Sequence, residues 1–593
     1  MKVRIPRMIQ DPRTARLEGI KLTEGFDPAR EDFFLDGPIT KRVAVVDFSP
    51  TTGGLVPGAR FRPPPRGRKR GWYVNAEGDD VYKAKGADLY TPAFMQVSVF
   101  ATVLGTLYMV EEGEEEGDTL GRVPTWGFDG AQLLVVPRAG QQRNAYYHRD
   151  SHSLQFFSFP SLRDPGKEIF TCLSRDIVAH ETGHAIIDGI VPDLYNAITP
   201  QSLAIHEAIA DLTALLMSLG SRSLRLAVLK KTRGEIIDTT AFSSIAEEFG
   251  HELERGGHGL RNLRNEKGLD TGDPENLVSR YSPHDLSLVL SGALYGVLTR
   301  IHEDLKDEYS KTTDYAQSPD KAYSASGRAL WVAAQRLKRV VYRALDYLPP
   351  GDISYADYGR AIMAVDEVAY PDDPKIREWV REQFVRRHIV PEEAALDVQM
   401  EFRHKEPERL DVGELHGSDW AAYQFANAQR DLLQIPEDIS FQVRPRLRVR
   451  KRYQYGRGEE CIFKVAWDHV EENPVGLGYP EMRRFTVGTT LVLDWETGRI
   501  LARLTNAPPE RRLITFDRDY HLRKDEYEEQ RDDRDVFVGG LAASGILRLG
   551  EYASGPGGRP LESVIRADVV EGAMKARATA KTLHIVVEEE SDG

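Results

Sequence analysis

Residues 176–188 read DIVAHETGHAIID, and the two histidines in that run, His180 and His184, stand four positions apart. On a helix this spacing puts both imidazoles on one face, one turn apart, where they can reach the same metal ion. Glu181 lies beside them, placed so that its carboxylate can act as a base without being a ligand. Ile177, Val178, Ala179, Ala185, Ile186 and Ile187 flank the motif with apolar surface and predict that this helix is buried. Two partly buried histidines on a core helix would give the same pentad, so the motif needs a second element.

That element is HEAIADLTALL, His206–Leu216. Catalytic zinc commonly takes three protein ligands, two His and one Glu among the known sets, and keeps a fourth position open. Glu207 begins an amphipathic pattern, and Asp211 follows it by one helical turn on the same face. Glu207 is therefore the predicted third ligand. Asp211 is predicted to accept a hydrogen bond from a ligand imidazole, which fixes the tautomer and raises its basicity. The expected cofactor is zinc, held by His180, His184 and Glu207.

Composition bounds the rest. A hydrophobic share of 41% and a charged share of 29% describe an ordinary soluble globular protein, and 593 residues imply more than one structural unit. The net charge of −14 argues against nucleic acid as the main partner. Cys172 and Cys461 lie far apart with no CxxC, which favours two buried thiols over a disulfide scaffold or a thiolate metal site. The opening MKVRIPRMIQDPRTARLEG has no apolar core of a secretory signal, so a cytoplasmic location is expected. The most apolar stretch, Phe94–Val110, contains Gln96, Ser98, Thr102 and Thr106 and reads as a buried core helix rather than a membrane span.

Three regions follow from the pattern. Residues 1–75 are rich in Pro and Gly, with strand-like runs such as Arg42–Phe48 and an exposed basic loop at Phe61–Gly71. Residues 76–395 show helical periodicity over Phe94–Glu112, Phe170–Ile190, Ser202–Leu219, Asp285–Leu305 and Ala325–Leu345. A strand-like section, Gln132–Pro137 and Asn144–Phe159, predicts a small β layer on that helical body. Residues 396–593 read as β-rich: Phe441–Tyr455 and Arg484–Leu493 alternate, and Glu496-Thr497-Gly498 makes a turn before Arg499–Leu504. The alternating arginines there line either a salt-bridged sheet face or a surface for a protein partner.

On these segments the sequence resembles the thermolysin-like gluzincin peptidases. That family pairs VAHExTHAVTD with a downstream NEAISD; the matching segments here are VAHETGHAIID and HEAIAD. Asn144-Ala145-Tyr146-Tyr147 is similar to the family's NAFW edge strand, whose Asn side chain and Ala carbonyl bind the peptide backbone. Tyr195 lies eleven residues after His184, as does the family tyrosine that donates to the oxyanion. Leu260-Arg261-Asn262-Leu263 resembles LRSM, whose arginine grips a substrate carbonyl. Thr271–Tyr281, TGDPENLVSRY, matches a GDP…RY segment just before the family's catalytic histidine.

The resemblance covers residues 80–390 and implies an α+β fold, a thermolysin-like core with a small β layer and a helical lobe. It implies a zinc endopeptidase acting on a peptide or protein; the charge and the core-helix reading above add the expectation of no nucleic-acid or membrane partner. Glu181 would be the general base, Tyr195 and His284 oxyanion donors, and Asn144, Ala145 and Arg261 substrate-binding residues. Three positions depart from the family pattern. His206 replaces an Asn before the ligand Glu. Leu288 stands where alignment on Ser291-Gly292 puts the histidine, so His284 is expected to reach the site from the helix start, buttressed by Asp285; an ordinary helix-start His is the alternative. Ser218 replaces an acidic residue that would join Asp176 in a calcium site, so no calcium is expected. Two other functions stay open: a zinc-containing scaffold with little or no activity, and a gluzincin aminopeptidase, although no acidic motif for a free α-amine is evident.

Overall fold

The computed structural model describes residues 2–67, 69–111, 119–197, 199–236, 242, 244–245, 261–311, 321–398, 410–476, 478–509, 517–549 and 565–577. Glu112, Arg68 and Leu260, which belonged to expected elements, lie outside them. The helical body contains Pro92–Glu111 (α1), Arg175–Ile190 (α2), Pro192–Asn196 (α3), Pro200–Gly220 (α4) and Pro283–Ser310 (α5). Lys321–Tyr347 (α6), Tyr355–Ala369 (α7) and Lys375–Arg386 (α8) complete it.

Capping sets where these helices begin. Side chains of Ser174, Thr199 and Ser282 accept the backbone N–H groups of Ile177, Ser202 and Asp285 at the starts of α2, α4 and α5. Pro200 and Pro283 occupy the first turn, where a missing N–H does no harm. The Ser174 cap also corrects one expected boundary. The helix starts at Arg175 rather than Phe170, because Glu168–Phe170 pairs as a strand with Ser158–Pro160.

The β layer is a four-stranded sheet of Val43–Val45 (β1), Leu133–Val136 (β2), Ala145–His148 (β3) and Ser153–Phe156 (β4), in the order β3-β4-β2-β1. Strands β3 and β4 are antiparallel, whereas β2 runs parallel to both its neighbours. One edge is therefore β3, and the other strand at the rim comes from the N-terminal 75 residues. The same residues fill the apolar core: Val3, Ile5, Met8, Val43 and Tyr73 join Phe94, Val97 and Phe100 of α1 in one continuous cluster. Helices α1 and α4 are long and apolar enough to cross a membrane by length and composition, and both are largely buried within the fold. Gln96 inside α1 is matched by the N-terminal region: it accepts from Ala59 N (2.8 Å) and donates to Asp47 (2.8 Å).

A further N-terminal contact secures α2. Both oxygens of buried Asp176 accept hydrogen bonds, from Gln10 Nε2 at 2.7 Å and from Ser218 Oγ at 2.8 Å. Neighbouring Arg175 donates to Ile9 O (3.2 Å) and Met217 O (2.6 Å).

Past residue 410 the described chain forms an eight-stranded sheet: Gln442–Val443 (β5), Leu447–Tyr453 (β6), Gly456–Glu472 (β7), Met482–Asp494 (β8), Ile500–Thr505 (β9), Leu547–Leu549 (β10), Ile565–Val570 (β11) and Ala573–Arg577 (β12). Pro445, with no N–H to give the ladder, falls in the break between β5 and β6. The expected hairpin after β8 is present, with Gly498 at φ +71° in its turn. This region also carries helices that alternation did not reveal: Val412–Gly417, Asp419–Ala428, Arg430–Leu433 and the long Asp517–Ala543 (α9). Arg448 and Arg450 both engage Glu459 across the β6–β7 pair, so those alternating arginines form a salt-bridged face. From α9, Glu529 and Asp533 accept from Arg280 at 2.9 and 3.3 Å, tying this helix to the segment just before α5. Cys172 and Cys461 are both buried free thiols.

Candidate metal centre

Helices α2 and α4 pack side by side, and Gly183 inside the histidine motif permits their close approach. A Cβ there would meet Thr213 Oγ1 at 3.0 Å and Ala210 Cα at 3.2 Å. The packing brings His180, His184 and Glu207 together, all three buried. His180 Nε2 lies 3.0 Å from His184 Nε2 and 3.5 Å from Glu207 Oε2, and His184 Nε2 lies 3.4 Å from Glu207 Oε1. Ligand atoms about 2.0–2.1 Å from a tetrahedral ion stand about 3.3 Å apart, and the three separations bracket that value. Neither oxygen of Glu207 receives an aligned hydrogen bond, although both are buried. This donor set, with acceptor atoms left open at its centre, fits a metal ion. Among the described residues it is the one such group of His, Cys, Asp or Glu.

Charges around the group are arranged in pairs. Arg261 Nη1 stands 2.9 Å from Glu207 Oε2 and donates to Asp211 Oδ1 at 2.7 Å. Burial alone would push the Glu207 carboxyl up, but His284, Arg261 and His184 hold it well below the usual range. Asp211 Oδ1 lies 3.0 Å from His180 Nδ1. Burial disfavours the His180 cation, yet contacts with Asp211 and Glu207 outweigh it and raise His180 to about 9. Asp211 thus stands beside His180 Nδ1, where a hydrogen bond would orient the ring.

His184 has its own outer partner. Its Nδ1 is 2.8 Å from Nδ1 of His206, and burial lowers His206 to about 3, so that ring is neutral. With His184 Nε2 facing the centre, its Nδ1–H donates to His206 Nδ1. His206 is thus placed to accept a hydrogen bond from the ring of His184.

Glu181 faces the same space from α2. Burial raises its carboxyl to about 8; nearby His180 pulls it down and Glu207 pushes it further up. Its Oε2 accepts the backbone N–H of Tyr147 at 2.9 Å, so the edge strand β3 is fastened directly to this carboxylate. Asn144 leads into β3, and its Oδ1 accepts from Ala145 N (2.9 Å).

His284 sits in the first turn of α5, with Nε2 3.4 Å from Glu207 Oε1 and Nδ1 3.1 Å from Arg261 Nη2. Burial lowers its pKa, with Glu207 opposing. Asp285 turns its carboxylate to the Ser279 N–H at 2.6 Å. Arg261, expected to grip substrate, is engaged by Glu207, Asp211 and His284. Tyr195 is 2% exposed, and its hydroxyl has no hydrogen-bond partner among the described residues. Its ring meets those of Tyr147 and His206 edge-on, at centroid distances of 6.1 and 5.8 Å.

Compared with protein-family models the chain matches none, and a search of curated proteins likewise finds no match. The chemistry of the site therefore rests on its own residues. Two of them, Asp188 and Arg149, were given no role in the sequence reading. Asp188 accepts from Tyr147 Oη at 2.8 Å, and Arg149 binds the same carboxylate. Asp188 does lie one turn beyond His184 on α2, a spacing that could have drawn attention; Arg149 left no comparable signal.

Proposed function

We propose that this chain is a zinc-dependent endopeptidase with a thermolysin-like catalytic core. The observation that carries the reading is the Glu181 carboxylate, buried beside the His–His–Glu group and bonded to the edge strand. A site that only held a metal would need no base there. When bound, zinc supplies Lewis acidity that polarises a carbonyl and acidifies water.

Glu181 takes a proton from the attacking water and returns it to the leaving nitrogen as the C–N bond breaks. The Tyr195 phenol and the His284 imidazole donate to the carbonyl oxygen as it gains charge, each such bond being worth ~3 kcal/mol in comparable chemistry. The open edge of β3 aligns an extended peptide by strand addition, with the Asn144 side chain and the Ala145 carbonyl as partners. Arg261 holds the ligand carboxylate and Asp211 in register, and can reach a substrate carbonyl only from that post.

Metal analysis combined with hydrolysis of a mixed peptide library tests the reading. Glu181→Gln is expected to keep its zinc and lose turnover by about 10²–10⁴-fold. Equal activity in that variant would remove Glu181 as the base. Zinc-loaded protein that cleaves no peptide would favour the scaffold reading, and release of N-terminal residues alone would favour an aminopeptidase.

A further inference from the structure

Arg149 lies in the turn that leaves β3, and its guanidinium touches three groups around Tyr195 besides the ring itself. Nε donates to Asp188 Oδ2 at 2.8 Å, and Nη2 meets the other oxygen of the same buried carboxylate. Nη1 donates to Asn196 Oδ1 at 2.6 Å and Nη2 to Pro192 O at 3.3 Å, so one side chain grips both ends of α3, the helix that carries Tyr195. Its Cζ stands 4.0 Å from the centroid of the Tyr195 ring.

We propose that Arg149 is a positioning residue for hydrolysis: it fixes the Tyr195 phenol as donor to the oxyanion formed when water attacks a peptide carbonyl. The inference rests on the peptidase reading of the site. In the step concerned, the water oxygen bonds to the carbonyl carbon and the C=O electron pair moves onto oxygen. Tyr195 donates a hydrogen bond to that oxygen without giving up its proton. The C–N bond then breaks, and the amine takes its proton from Glu181.

Nothing polar anchors the Tyr195 hydroxyl in the described structure, so its place is set by what holds its ring and its helix. Arg149 holds both. An oxyanion donor works only within about 2.7–3.1 Å of the developing charge, and a 1 Å displacement lowers rate by about 10²-fold. Lysine would keep the charge beside Asp188 but has no planar fork to bind α3 and lie on the ring.

The test uses full-length, zinc-loaded protein and a mixed peptide library. It compares wild type, Arg149→Lys, Tyr195→Phe, both together, and the pair Arg149→Met with Asp188→Asn. That last variant removes the cation and the anion in one step and leaves no buried charge behind. Arg149→Lys is expected to lower kcat by about 10–100-fold, with KM and zinc content unchanged. In the Tyr195→Phe background the same change should cause no further loss, because the two residues act as a unit. The Arg149→Met, Asp188→Asn pair should show the same kcat defect. Unchanged kcat in both Arg149 variants, or losses that multiply with Tyr195→Phe, would overturn the inference while leaving the peptidase reading intact. Wild-type protein that binds zinc and cleaves nothing would overturn both.

Discussion

His206 presents its Nδ1 to Nδ1 of His184 across 2.8 Å, with both rings sealed from solvent. Two identical nitrogens can share that distance only if one carries a proton and the other a lone pair. Because burial keeps His206 neutral, it can be the acceptor, and the Nε2 lone pair of His184 is left pointing at Glu207. Replacing His206 by Leu should weaken metal binding by about 10–100-fold. His206→Asn, whose carbonyl oxygen can accept the same proton, should retain most of the affinity. Competition against a chromophoric chelator reads both; equal affinity for the Leu variant would sink the argument.

The metal-free protein should lose stability as pH rises. His180 is raised from 6.5 to about 9, so the stability its proton contributes is full below about 6.5 and gone once pH passes 9. Glu181, raised from 4.5 to about 8, runs in the same direction, with its contribution full below 4.5 and lost through 8. Thermal unfolding in the presence of chelator should therefore show a melting temperature that falls between pH 6.5 and 9.

Metal uptake should show the opposite slope over that window. A ligand imidazole must give up its proton, so affinity should rise with pH from 6.5 towards 9 and binding should release protons into a weakly buffered solution. Titration calorimetry in two buffers of different ionisation enthalpy measures that release. Zero proton release at pH 7 would contradict the His180 assignment.

Arg261 supplies the positive charge that two buried carboxylates share. Arg261→Met should destabilise the metal-free protein by about 3–5 kcal/mol, since it removes the guanidinium that buried Glu207 and Asp211 share. The penalty should shrink when metal is bound, because the ion takes over the charge of Glu207. Denaturant unfolding with and without chelator provides the comparison, and an identical penalty in both states would refute it.

Gln10 holds one oxygen of Asp176 at the base of α2. Gln10→Leu should reduce stability by about 1–3 kcal/mol by removing the buried donor to that oxygen. Amide hydrogen exchange should then quicken in the first turns of α2. A variant with wild-type exchange there would show that the contact carries no load.

The sequence reading reached the centre of the site more easily than its surroundings, for a physical reason. His180, His184, Glu207 and Asp211 sit at helical spacings on two helices, and helix geometry converts spacing into direction. His206 was visible as a departure from pattern, but its partner was not, because the contact depends on how α4 turns against α2. Arg149 reaches Asp188 and Asn196 across 39 and 47 positions, and no local period encodes such a meeting. The same holds for the β layer. Strand-like runs marked β2, β3 and β4, whereas the parallel pairing of Val43–Val45 with Leu133–Val135 is a long-range event. In the C-terminal region strand alternation was legible, but α9 was hidden by a run of charges, DRDYHLRKDEYEEQRDDRD, with no apolar stripe to announce it.

Gln10 and Asp533 mark how far apart in the chain the supports of this centre lie. One braces the helix that carries both histidines, and the other holds Arg280, four residues before His284. A ribosome must therefore add more than three hundred residues after Glu207 before the last of these braces exists. The metal-ligand motifs are made early, but the walls that would make them a working cleft arrive only as synthesis nears residue 533. The nascent chain therefore holds the two histidines and Glu207 long before the last of these contacts can form.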